Sequence, residues 1–197
     1  MEASTRSAES SKLSLRYGLL IGVITLVIAI VFRIVDPLMQ FTNLWIQILG
    51  GILGIVLLVI FSLEIRKAIG GFWSFGEAFK SLIAMSFFTL VLSILYNFVL
   101  FKYIDPDMPA KISDASQAVV TARLEKMNMS QDKIDEVTKT FESGEFKARL
   151  EPTFKNEITG FGFGLVISAI IDLIIAACVK KSAPFNVLEN AIDPAEQ

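Results

Sequence analysis

The sequence predicts an all-α integral membrane four-helix bundle with a short extramembrane helical insertion between the third and fourth spans. Three observations carry that prediction. Hydrophobic residues make up 53% of the 197 residues and the mean hydropathy is +0.60, above the apolar share of an ordinary soluble domain. Four long apolar runs approach or exceed the ~20 residues a helix needs to cross a bilayer. Between the second and third runs stands Gly70-Gly71-Phe72-Trp73-Ser74-Phe75-Gly76-Glu77-Ala78-Phe79-Lys80, which reads as a turn followed by a capped helix start. Ser74 and Glu77 have the capping-box spacing, in which each side chain satisfies a backbone N–H at the helix beginning. Near lipid those donors would otherwise have no water to pair with.

Composition excludes several classes of function. The chain has no histidine and one cysteine, Cys178. Ser-His and Cys-His nucleophile pairs, an internal disulfide and Cys- or His-rich metal centres are therefore ruled out. The formal charge of −2 supplies no basic field for nucleic acid. No cofactor, metal or nucleic-acid partner is expected.

Residues 1–16 are a polar N-terminus of mixed charge, and the first span runs from Tyr17 to Val35. That run is too long for a signal-peptide core and has no small-residue cleavage pattern. Arg33 near its end reads as a snorkelling side chain, with an ion-pair or substrate role as the alternative. Phe32-Arg33-Ile34-Val35-Asp36-Pro37 closes this span and Phe101-Lys102-Tyr103-Ile104-Asp105-Pro106 closes the third. Both end on an Asp-Pro stop, since the residue before proline is pushed away from helical backbone. Shared exit chemistry or a duplicated half would each produce the likeness.

The second span, Leu44 to Leu63, leads through Arg66 and Lys67 to Gly70, a natural helix terminus. The third covers Ser81 to Phe101, so the first three spans and the turn at 70–80 occupy residues 17–101. Residues 102–157 hold nine Lys/Arg and eleven Asp/Glu and form a solvated segment. One amphipathic helix is expected from Ser113 or Asp114, with Val120, Leu124 and Met127 along one side. A second is expected from Ser130, with Ile134, Val137 and Phe141 as its stripe and Gly144 as its end. These stripes read as packing inward on the protein, and a protein partner at 107–157 is the alternative. The fourth span falls within 158–181, and 182–197 is a loose tail.

Arg6, Lys12, Arg16, Arg66, Lys67, Lys80, Lys180 and Lys181 lie on the side that holds both termini, whereas the connection from Asp36 to Asn43 has no base. The positive-inside rule places both ends in the cytoplasm.

Small residues recur at four-residue spacing in three spans: Gly18 and Gly22, Gly50 and Gly54, Gly160 and Gly164. Helices in lipid gain little from hydrophobic burial and need close backbone contact, which such rows permit. The last row continues through Ser168 to Asp172, and the third span carries Thr89, Ser93 and Asn97 at the same spacing. The rows are expected to face one another in the bundle; a homo-oligomer contact is their other use. Asp172 lies ~10 Å from the end of its helix at 1.5 Å per residue. An acid that deep is expensive and marks a candidate functional site, with Ser168, Thr89 and Asn97 as its polar company. The alternative is an acid that only joins helices through hydrogen bonds.

Gly71-Phe72-Trp73-Ser74-Phe75-Gly76-Glu77-Ala78-Phe79-Lys80, Tyr96-Asn97-Phe98 leading to Ile104-Asp105-Pro106-Asp107, Met129-Ser130-Gln131-Asp132-Lys133-Ile134, and the glycine-bearing last span with Lys180-Lys181 resemble a bacterial four-span membrane family, domain of unknown function 4199. The resemblance covers roughly residues 14–181. That family more often has glutamine where Glu77 stands, and either residue completes a capping box. The resemblance implies an architecture and a bacterial inner-membrane setting, with no activity and no catalytic residues. Two functions follow as expectations: a non-enzymatic structural, assembly or interaction component, or a subunit of a small oligomeric transporter or channel built around Asp172. An intramembrane enzyme fares worst, because aspartyl chemistry needs paired carboxylates and Asp172 has no acidic companion in the spans.

Overall fold

A computed structural model of the chain describes residues 2–182. Four helices are long and apolar enough to cross a membrane, and no strand occurs among the described residues. They are α1 (Glu2–Val35), α3 (Leu44–Ala68), α4 (Phe75–Val99) and α8 (Phe154–Val179); α2 (Met39–Thr42) is a single turn between the first two. A π-helical turn, Leu100–Ile104, extends α4. The insertion folds as α5 (Met108–Lys126), α6 (Gln131–Glu142) and α7 (Glu145–Leu150). Most of the tail assigned to 182–197 lies outside the described residues.

Local chemistry fixes where the spans begin and end. Asn43 caps α3 by accepting from the N–H groups of Trp45 and Ile46, and Thr153 caps α8 by accepting from Asn156. At the end of α3, Gly71 N–H donates to Arg66 O at 2.8 Å and Gly70 N–H to Lys67 O at 3.3 Å. That is the Schellman pattern, and it needs left-handed backbone: Gly70 has φ 99° and Gly71 φ 85°. Ser74 then accepts from Glu77 N–H at 3.3 Å while Glu77 Oε2 accepts from Ser74 N–H at 2.9 Å. Trp73 and Lys181 exchange two backbone hydrogen bonds, 2.8 and 2.9 Å, pinning the turn to the end of α8.

α4 is the central rod. α1 runs parallel to it, as the pairs Arg6–Glu77, Ser10–Ser81 and Gly18–Met85 show by advancing together. α8 runs antiparallel, with Gly164 against Leu90 and Asp172 against Ser86. α3 joins this sheaf mainly by its last turns, where Ile65 is buried, Tyr17 stacks on Phe61 at 4.7 Å, and Arg66 Nη1 donates to Val179 O at 2.8 Å. The main core is Ile65, Trp73, Ala78, Leu82, Met85, Ile175 and Ala176 at the turn side. Apolar side chains four apart point outward along the three rods around α4: Val23, Val27 and Val31; Ile52, Val56 and Ile60; Val166, Ile170 and Ile174. In water such faces would be costly, whereas acyl chains solvate them.

Four expectations are revised. The N-terminus is helical from Glu2 onward, and there Ser10 meets Ser81 and Arg6 meets Glu77 of α4. Arg33 does not simply snorkel: its Nη2 lies 3.6 Å from Asp105 Oδ2. This contact joins the base of the first exit motif to the acid of the other. The first insertion helix starts at Met108, with Pro109 in its opening turn, and buries Met108, Ile112 and Ser113, while Met127 is exposed. In α6 the buried positions are Ile134 and Thr138, with Phe141 on Phe146 of α7 at 4.8 Å; Val137 faces out. Leu38 and Phe41 pack under this insertion against Leu100, Phe101 and Met108.

Candidate functional site

Asp172 is fully buried on α8. Its Oδ1 accepts from the Ser86 hydroxyl of α4 at 3.2 Å, and its Oδ2 has no partner among the described residues. The surrounding half of the bundle is laid with hydroxyls from three helices: Ser10 and Ser14 on α1, Ser62 on α3, Ser81 and Ser86 on α4 are all buried. Ser62 Oγ also lacks a partner among the described residues. Leaving such a group unpaired costs ~1–3 kcal/mol, so this interior is polar at some expense.

The other singled-out polar residues do not gather around that acid. Thr89 donates from Oγ1 to the carbonyls of Gly18 and Met85, both at 3.0 Å, and so fastens α1 to α4. Ser168 donates to Leu165 of its own helix at 3.0 Å. Asn97 sits toward the insertion side, where it lines a cavity of about 270 Å³ with Thr25, Gln40, Phe41, Ser93 and Tyr96. Beside it the Tyr96 hydroxyl and Arg33 Nη1 are buried without partners among the described residues. Asp105, outside the spans, draws in both Lys111 (2.9 Å) and Arg33 (3.6 Å). The hydrogen bond from Lys111 holds its carboxyl below the ordinary 3.8 against the opposing effect of burial, with Arg33 assisting. Sequence spacing alone missed Ser86, the partner of Asp172. Its signal was present, since Ser86 lies between the serine and threonine positions of α4 that face inward.

The glycine rows divide into used and unused. A Cβ at Gly18 would lie 2.7 Å from Met85 O, and one at Gly22 2.5 Å from the Leu92 side chain. At Gly164 the nearest atom is Leu90 Cδ2 at 3.2 Å. At Gly50, Gly54 and Gly160 nothing among the described residues lies within 4 Å. The expectation that these three seat a neighbouring helix inside the bundle is thus corrected. α3 leans away above its last turns, and Gly160 faces open space although its neighbour Phe161 meets Phe87 of α4 at 5.4 Å.

Neither a curated protein nor a solved structure matches the chain. A family model does match, over residues 16–181: the DUF4199 family, described as a protein of unknown function. The chain belongs to that family, and it is a multi-pass membrane protein.

Proposed function

We propose that this protein is a non-enzymatic component of a bacterial inner membrane that works by lateral association, with both termini in the cytoplasm. The observation that carries this reading is the open glycine face of α3. Of the 18-residue apolar stretch in α3, 6% is buried within the chain, against 17 to 22% for the other spans. Gly50, Gly51 and Gly54 have open space in front of them. Two backbones approach closest where no Cβ intervenes, and close packing is what drives association in lipid. The partner favoured is a second copy through the same face, because Gly18, Gly22 and Gly164 are already covered within the chain. The outer surface of α5–α7, residues 107–157, is a second surface for a protein partner.

The test is a cysteine at Leu53 in a Cys178→Ala background, treated in membranes with a short thiol crosslinker. A crosslinked dimer is expected, and Gly50→Leu with Gly54→Leu should abolish it. A chain that never crosslinks and is monomeric by native mass spectrometry would exclude the reading.

A transporter or channel subunit is the second reading, favoured by the unpartnered Oδ2 of the enclosed Asp172. It requires proton or ion flux in liposomes that Asp172→Asn removes. Aspartyl catalysis is not proposed, because the polar partner of Asp172 is a hydroxyl and not a second carboxylate.

A further inference from the structure

The turn side of the bundle holds a small polar cavity that neither the α3 face nor Asp172 accounts for. It measures about 110 Å³ and is lined by Arg6, Ser10, Trp73, Glu77, Lys80 and Ser81, with neighbouring residues of α1. Trp73 is fully buried and its backbone is locked to Lys181, so the indole cannot swing into solvent. Its one polar group, Nε1–H, has no partner among the described residues, and neither has Nε–H of Arg6. A native fold rarely leaves two buried donors unmet at one place unless something outside the chain meets them.

The rest of the wall points the same way. Ser10 Oγ and Ser81 Oγ lie 2.9 Å apart. One hydroxyl hydrogen serves that contact, and the other still needs an acceptor. The wall carries two cations, Arg6 and Lys80, against one carboxylate. That carboxylate is engaged: Glu77 Oε2 accepts from the Ser74 N–H and hydroxyl, with Arg6 Nη2 at 3.6 Å. Arg6 Nη2 also donates to the carbonyl of Phe72, which leaves Nε as its unspent edge. What is missing from this cavity is an acceptor, and an acceptor with negative charge.

We propose that the cavity binds one phosphate oxyanion, with Trp73 Nε1–H and the Arg6 guanidinium as its directional donors and Lys80 as counter-charge. At ~30 Å³ per water, the space equals three or four waters, which suits a single tetrahedral oxyanion. Neutral water alone would fill it but would leave the excess positive charge unanswered. The phosphate has two sources of identical chemistry: a lipid headgroup at the aromatic belt of Phe72, Phe75 and Phe79, or free phosphate.

The experiment uses the full chain in a maltoside detergent. The protein has two tryptophans, so Trp45→Phe leaves Trp73 as the sole reporter. Inorganic phosphate, a short-chain phosphatidylglycerol and a phosphate-free glycolipid are titrated separately at constant ionic strength. A saturable change in Trp73 emission with phosphate, with phosphatidylglycerol or with both supports the site, and the arm that responds names the source. Arg6→Gln should weaken the response about ten-fold, the loss expected for one charge-assisted hydrogen bond. Lys80→Gln, at an exposed position that leaves folding alone, should weaken it by a smaller factor. The proposal is overturned if neither phosphate probe shifts the emission, if the glycolipid shifts it equally, or if Lys80→Gln and every folded Arg6 variant bind as the parent does.

Discussion

At Gly18 a methyl group would lie 2.7 Å from the Met85 carbonyl oxygen and 2.8 Å from Met85 Cα. Both are backbone atoms, so no side chain can turn aside, and α1 must move off α4. Gly18→Ala should therefore destabilise the protein by ~1–3 kcal/mol, the usual cost of overpacking. Gly54→Ala, with open space before it, should stay within ~0.5 kcal/mol in the monomer. Unfolding in mixed micelles measures both, and equal effects would undo the helix contact. At Asp105 the folded carboxyl sits below its ordinary 3.8, chiefly through Lys111. A depressed acid adds stability above its unfolded value, and that stability is lost as pH falls through the folded value. Lys111→Met should accordingly bring the acid-side loss up toward 3.8. An unfolding midpoint followed from neutral to acid pH, for parent and variant, reads this directly.

Elements differ in how far sequence betrays them. The cap of α4 could be read because its partners, Ser74 and Glu77, stand within one turn and need nothing distant. Ser74→Ala should cost ~1 kcal/mol, as lost N-caps do, while Glu77→Gln, which keeps an acceptor oxygen, should cost much less. Thermal unfolding of the two variants decides it, and the reverse order would rule the cap out as a stabilising feature. The helical extension of α1 was hidden for the opposite reason. Arg6, Ser10 and Ser14 have no apolar rhythm, and they are helical and inward because α4 supplies partners 71 positions away in the chain for Ser10. The Arg33–Asp105 pair was equally remote, since the two exit motifs looked like repeats and not like partners.

For the molecule as a whole, span number follows from apolar length, which is why the four-rod architecture was legible. Glycine spacing was less informative. It is the same whether a helix of the chain, a second copy or lipid fills the groove, and only the lean of α3 distinguishes Gly50 and Gly54 from Gly18 and Gly22. The candidate site was half legible for a similar reason: depth marked Asp172, but its partner Ser86 depends on how α4 and α8 meet. The threading of the rods underlies every reading above. It is tested by single cysteines at Ser74 and at Ser143, each in a Cys178→Ala background, labelled in intact cells with a membrane-impermeant thiol reagent. The account predicts that Ser143→Cys reacts from outside and Ser74→Cys only after lysis. The opposite pattern would contradict the orientation, and equal labelling of both would contradict the four-span fold itself.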